Sequence, residues 1–323
     1  MTCTARHARL TWHPSGVAIL IGAMTSVVAC TSATHAQSFA GRAADTVFVV
    51  ERNSVVDVTL RTGHLVVRGT DSRDAELRAD GAGYALRRSA AGITVNIGNE
   101  FRGNTGRRSR GDGEDIELRV PRATKVIVHG ASIDVAVFDI TGDVDIKVIS
   151  GDVAVHGIGG RAILETLSGD IRAEGGVGDF RATSTSGDIS ARQIRGDIDV
   201  STVSGDVVLS ADRARRVSVK VTSGEISLTS DLPEDAEWEL DTHSGDITLR
   251  LPSSAAGQID VSTFTGDISG GPMTLVPPSR ASASNMTRTT KRFVLGGGGS
   301  ARIRASTFNG DVRITRPSRR DVF

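Results

Sequence analysis

The chain is poor in cysteine and in aromatic residues. Of its 323 residues two are Cys, Cys3 and Cys30, and both precede residue 37. The body of the chain therefore holds no disulfide, no thiolate metal ligand and no cysteine nucleophile. Aromatics are 4% of the whole, with a single Tyr (Tyr84) and, after the first 36 residues, a single Trp (Trp238). Charge of either sign is not in excess: 38 basic and 38 acidic residues cancel. That balance removes a composition-level case for nucleic acid, which selects a basic surface, and for strong attraction to a membrane surface. Beyond residue 30 no apolar run approaches the ~18 residues that a spanning helix needs. The later histidines, His64, His129, His156 and His243, stand singly, with no HxH or HExxH pair for a metal, and no GxSxG elbow occurs.

The apolar stretch that does exist lies at the start. Arg6 and Arg9 precede Gly16–Ala29, the pattern of a secretory signal peptide. Residues 1–36 read as that leader, with cleavage between Ala36 and Gln37. Val27-Val28-Ala29-Cys30 offers a second ending, similar to a bacterial lipobox, which would put a lipid on Cys30. Either ending exports the chain, and a lipid on Cys30 would be its one membrane contact.

Glycine is abundant, at 37 residues against eight prolines, and it is periodic. Gly142, Gly151, Gly160, Gly169, Gly178, Gly187, Gly196 and Gly205 stand nine residues apart, and every second one sits in Ser-Gly-Asp. The true period is 18, with one strict and one loose turn per repeat. The strict turns are Gly151-Asp152, Gly169-Asp170, Gly187-Asp188, Gly205-Asp206, Gly224-Glu225, Gly245-Asp246, Gly266-Asp267 and Gly310-Asp311, with late spacings of 19, 21, 21 and 44. The gap of 44 is two coils, or one coil with an insertion.

Aligned on the strict glycine, three columns are apolar. Val153, Ile171, Ile189 and Val207 follow the acid, Val155, Ala173, Ala191 and Leu209 come two later, and Ile146, Leu164, Ala182 and Val200 precede the glycine by five. Polar residues alternate with them, so each segment is a strand with one buried face. Columns recurring every 18–21 residues predict an all-β parallel solenoid whose coils bury their faces by stacking. Glycine supplies the positive φ of a tight corner, and Asp or Ser can cap backbone N–H groups within a turn. Three residues before the glycine a short hydroxyl recurs (Thr166, Ser184, Thr202, Thr242, Thr263, Thr307), and parity points it inward. An outward column is unexpectedly apolar at Ile149, Leu167, Val203, Phe264 and Phe308. Leu167, Val203, Phe264 and Phe308 are accordingly the candidate partner surface, and packing under a neighbouring loop is the competing use.

Residues 45–120 read as a smaller β-rich N-terminal region without the 18-residue register, with strands at Val47–Val50, Val55–Leu60, His64–Gly69, Ala75–Ala79 and Ile93–Ile97. Gly98–Asp115 is a polar loop bearing Arg102, Arg107, Arg108 and Arg110. The solenoid spans 121–316, interrupted at about 271–300 by Pro277-Pro278, a Ser/Thr/Arg-rich stretch and a GGGGS run. Within that loop Phe293–Leu295 reads as a short strand, and 317–323 form a tail. Arg316, Arg319 and Arg320 are candidates for guarding the last coil's edge.

This arrangement resembles the bacterial DUF4097 family, whose members carry an adhesin label. The likeness rests on HLVVRGTD (His64–Asp71), LRVP (Leu118–Pro121), the serial TLSGDI, TVSGDV and THSGDI repeats, and the closing TFNGDVRI (Thr307–Ile314). It covers roughly residues 45–316 and implies a β-solenoid of the cell envelope; it brings no catalytic residue with it.

The repeated acids would form a ladder with rungs ~4.8 Å apart, where calcium could relieve their repulsion. The calcium-binding β-repeat has paired glycines in a nine-residue unit, however, and these units lack the second glycine, so the acids are read as turn formers and no metal ligand is assigned. Arg195-Gly196-Asp197 occupies a loose turn whose neighbours read TGD and VGD, so the tripeptide follows from the repeat. The reading is an exported, non-enzymatic envelope solenoid with an adhesin-like binding or scaffolding surface for an envelope protein or polymer, without cofactor. The alternative is a polysaccharide lyase or hydrolase, which also uses parallel β-helices and needs two opposed carboxylates on a cleft.

Overall fold

Alternating branched aliphatic and polar residues make strands that bury one face only by lying on another coil. The computed structural model describes residues 38–42, 46–49, 54–80, 83–89, 92–97, 114–271, 274–276 and 289–316. The leader, Cys30, residues 98–113 with their arginines, the Pro277-Pro278 segment and the tail 317–323 lie outside those residues. Among the described residues there is no helix, and all the strands join one 26-stranded sheet.

At the N-terminal end are β1 (Ser38–Arg42), β2 (Thr46–Val49), β3 (Val55–Thr70), β4 (Asp74–Asp80), β5 (Gly83–Ser89), β6 (Gly92–Ile97) and β7 (Glu114–Pro121), followed by β8 (Lys125–Phe138). The coils then come as strand pairs across a Ser-Gly-Asp corner or its variant. They are β9 (Val144–Ser150) with β10 (Val153–Ile158), β11 (Ala162–Ser168) with β12 (Ile171–Gly176), and β13 (Phe180–Ser186) with β14 (Ile189–Ile194). β15 (Ile198–Ser204) with β16 (Val207–Ala211), β17 (Arg216–Ser223) with β18 (Ile226–Ser230), β19 (Glu237–Ser244) with β20 (Ile247–Arg250) and β21 (Gly257–Thr265) with β22 (Ile268–Gly270) continue the series. β23 (Thr274–Val276), β24 (Thr289–Leu295) and the pair β25 (Arg302–Asn309) with β26 (Val312–Thr315) complete the chain.

First strands pair in parallel with first strands, and second with second. Leu164 lies beside Ala182 and Ala182 beside Val200, while Ile171 lies beside Ile189 and Ile189 beside Val207. The chain is a parallel β-solenoid. Its inward columns form the core: Leu164, Ile171, Ile189 and Ile198 are fully buried, each contributing about 1.5–3 kcal/mol. Trp238, also fully buried, donates its indole N–H to the Ala214 carbonyl at 3.0 Å, which removes the cost of burying that donor.

The sheet is continuous through residue 121. β3 is itself a full coil, its first half paired with the first half of β8 and its second half with the second, both parallel. β6 and β7 stack on the two halves of β3, again parallel. Antiparallel strands then end the stack: β5 and β1 beyond β6, and β4 and β2 beyond β7.

At the other end the coils do not stack in chain order. β25 lies between β19 and β21, parallel to both, and β26 lies between β20 and β22. The 44-residue spacing is therefore one coil with an insertion, β23 and β24, rather than two serial coils, and that coil stacks out of chain order. The chain lays one coil at a distance, folds back, and fills the gap with its last. Charge favours this order. Along one outward column run Glu239, Arg304, Asp260 and Arg292, alternating in sign, with Arg304 3.9 Å from Glu239 and Arg292 paired to Asp260. Direct contact of β21 with β19 would put Asp260 against Glu239, and like charges directly opposite are destabilising.

The stretch expected as a loop with a short Phe293–Leu295 strand holds the seven-residue β24, antiparallel to β21, with β23 antiparallel to β24. These two cover the open edge of the first-strand stack. The second-strand stack ends at the three-residue β22, whose Ile268 carbonyl accepts from the Lys291 ammonium at 2.9 Å. A short edge blocked by lysine resists pairing with another chain. Among the described residues the guard is Lys291, whereas Arg316 donates to the carbonyls of Ser253 and Ala255.

Candidate interaction surface

Each strict corner leaves backbone groups outside the ladder, and the three preferred side chains answer to them. The corner glycines have φ between 125° and 155°, and a Cβ on Gly169 would lie 2.2 Å from the Gly151 carbonyl oxygen, so no larger residue fits. The acid serves its neighbour rather than its own turn. The amide of Asp170 donates to Asp152 Oδ1 at 2.9 Å, Asp188 to Asp170, Asp206 to Asp188 at 2.8 Å, and Glu225 to Asp206 at 2.8 Å. The expected within-turn bond is replaced because stacking holds the next coil's free amide above the carboxylate, 18 or 19 residues on.

The ladder follows spatial order: Asp311 donates to Asp246, and Asp267 donates to Asp311, both at 2.8 Å. Glu225 breaks the pattern; its longer carboxylate accepts from the Thr248 hydroxyl at 3.4 Å. The inward hydroxyls reach corner carbonyls: Thr242 donates to Gly224 at 3.4 Å, and Thr307 to Gly245 and Thr263 to Gly310 at 3.1 Å. Thr166 and Ser184 are buried without a partner.

On the solvent side of this edge, two residues before the corner, the outward column is open. Exposure is 57% at Ile149, 53% at Leu167, 51% at Val203, 48% at Phe308 and 42% at Phe264, so no described loop covers it. The column ends in a ring stack: His243 on Phe308 with centroids 5.0 Å apart and 11° between planes, and Phe308 on Phe264 at 4.7 Å and 6°. His243 belongs to this surface although its polarity hides it in the sequence; its place two before Gly245 is the signal. Asp134 is likewise a rung, accepting from the Asp152 amide at 2.9 Å. It escapes the motif because Ile133 stands where the other corners have glycine.

The remaining candidates are bound up in the stack. Arg195 pairs with Asp212 at 3.6 Å and Asp197 with Arg216 at 2.9 Å, so both charges of the RGD tripeptide tie coils together. Arg68 covers the Phe138 ring at 4.6 Å, beside His156, and His64 meets Asp134 at 3.1 Å. Lys147, hydrogen-bonded to Glu165, keeps its proton above the ordinary lysine range. A groove of about 520 Å³ under the lengthening loose turns is lined by Asp212, Asp231, Arg250 and Arg316. No group of three or more His, Cys, Asp or Glu among the described residues is arranged to hold a metal.

The family model for Toastrack DUF4097 matches residues 108–237 and 214–315, most of the chain. The chain belongs to the Toastrack DUF4097 family. Its Ser-Gly-Asp coils and closing TFNGDVRI strand thus lie inside the matched segments of a Toastrack domain. Among solved structures, this Toastrack chain is similar to a "putative cell adhesion protein" from Clostridium sporogenes, at 10% identity and a TM-score of 0.20, over 85% of this chain and 100% of that one. It is also similar to a "putative adhesin" from Bacteroides fragilis, at 11% identity and a TM-score of 0.38, over 87% and 97%. At these scores neither transfers a residue or a role. No curated protein matches the sequence.

Proposed function

We propose that this Toastrack protein is an exported, non-enzymatic module of the cell envelope that binds or scaffolds an envelope protein or polymer along one edge of its solenoid. The observation that carries the reading is the open column from Ile149 to Phe264, apolar at Ile149, Leu167, Val203, Phe308 and Phe264 and interrupted by Thr185, Thr222 and His243, with Phe308 and Phe264 on adjacent coils. Exposed apolar surface of this kind marks interaction sites. The leader supports export, and the family label agrees with an adhesin-like role. Membrane contact would come only through a lipid on Cys30.

Capture from intact envelope tests the reading. The native chain should retain a partner that a Phe264→Ser/Phe308→Ser chain, folded to the same melting point, loses; equal capture by both would remove the column from the function. Labelling cells with radioactive fatty acid beside a Cys30→Ala control separates a lipoprotein from a soluble mature form. Release of product from a polysaccharide panel by the purified protein would replace this reading with the enzymatic one.

A further inference from the structure

The acidic ladder beside the apolar column is neutralised at one end only. Arg172 bridges Asp152 at 3.3 Å and Asp170 at 2.8 Å. Asp188, Asp206, Glu225, Asp246, Asp311 and Asp267, six successive rungs, have no Lys or Arg partner among the described residues, although amide-to-carboxylate bonds link them from coil to coil except between Glu225 and Asp246. In those same coils the column two residues before the glycine carries, in spatial order, Thr185, Val203, Thr222, His243, Phe308 and Phe264. An exposed column that is apolar at Val203, Phe308 and Phe264 and an acidic row without Lys or Arg partners therefore run side by side along one edge.

The spacing selects the shape of a partner. Rungs recur about every 4.8 Å, whereas residues three to four apart on a helix recur about every 5.4 Å. The two stay within roughly 2 Å of register over four rungs. An extended chain repeats its outward side chains only every ~6.7 Å and drifts by roughly 6 Å over the same four rungs. Resting on the binding role proposed above, we infer that the occupant of this edge is an amphipathic helix with a basic flank. It lies along the stack, with its apolar residues on Val203, Phe308 and Phe264 and its Lys or Arg residues on the acids from Asp188 to Asp267. Among the described residues, a second copy of this chain presents the same acidic edge and no basic row on that edge to match.

The test uses the mature protein and a fluorescent Lys/Leu amphipathic helix of about 18 residues, roughly 27 Å long, with a Glu/Leu helix of the same pattern as control. Anisotropy should report saturable binding of the Lys/Leu helix, at least tenfold tighter than the Glu/Leu helix and weakening as salt rises. Asp206→Asn/Asp246→Asn/Asp311→Asn keeps each Oδ1 acceptor for the next coil's amide and removes the charge; it should leave the melting point in place and weaken binding at least tenfold. Phe264→Ser/Phe308→Ser should do the same. Equal binding of the two helices, or no loss in the Asn variant, overturns the basic flank while leaving Phe-dependent envelope capture intact. Self-association abolished by the Phe changes, with no helix bound, would make a second copy the occupant and overturn the inference.

Discussion

The backbone amide of Asp311 donates to the carboxylate of Asp246 at 2.8 Å, 65 residues earlier in the chain, while the amide of Asp267, 21 residues after Asp246, donates to Asp311 instead. The bond records the order of the stack: the final coil sits beside β19 and keeps β21 away. The same order is written in the rings, where Phe308 separates His243 from Phe264. It recurs in the outward charges Glu239, Arg304, Asp260 and Arg292.

Reversing the middle of that charge column should weaken the last coil. Arg304→Glu places three acids in succession on exposed positions, and cross-strand like-charge terms of about 0.2–1 kcal/mol each predict a loss of roughly 1–2 kcal/mol. Urea denaturation at low ionic strength should show the lower midpoint, and added salt should shrink the difference. A midpoint unchanged at low salt would mean that packing alone sets the coil order.

The solenoid was legible because one period of 18–21 residues controls corner, core and register together. Coil order was not, since a spacing of 44 residues is a distance along the chain and carries no direction in space. The alternation of Glu239, Arg304 and Asp260 held that information, but only once the strands were adjacent. The role of the acid was half legible: its place in the corner could be read, whereas its bond to the following coil depends on stacking. Asp134 and His243 were missed because Ile133 and an imidazole interrupt the pattern that the rest of their columns keep.

The break at Glu225 should be repairable. A shorter carboxylate there can accept the Asp246 amide as the other rungs do, so Glu225→Asp is expected to stabilise the fold by about 0.5–1.5 kcal/mol. Asp206→Ala does the opposite, stripping the Glu225 amide of the acceptor it meets at 2.8 Å, at a cost of about 1–3 kcal/mol. Asp206→Asn retains an acceptor and should stay close to the native value. Calorimetry on the three variants ranks them, and a destabilised Glu225→Asp would show that the glutamate's bond to Thr248 is worth more than the missing rung.

Calcium should make no difference to stability. One oxygen of Asp152, Asp170, Asp188 and Asp206 is already committed to an amide of the adjacent coil, and a hard cation needs six to eight oxygen ligands gathered around it. Thermal melts in millimolar calcium and in chelator are expected to superimpose. A midpoint raised by calcium and restored by chelator would turn the ladder into a metal site.

The buried hydroxyls offer a paired test in which shape is held constant. Thr307 donates to the Gly245 carbonyl at 3.1 Å, a group left out of the strand ladder at the corner, whereas Thr166 is equally buried and has no partner. Thr→Val keeps the branched shape and deletes the hydroxyl. Thr307→Val should cost about 1–2 kcal/mol, because it strands a buried carbonyl as well as losing the bond. Thr166→Val should be neutral or stabilising, since it removes a buried polar atom that nothing satisfies. Equal losses at the two sites in guanidinium denaturation would show that Thr is preferred in this column for its shape, and that the corner carbonyls are served by water.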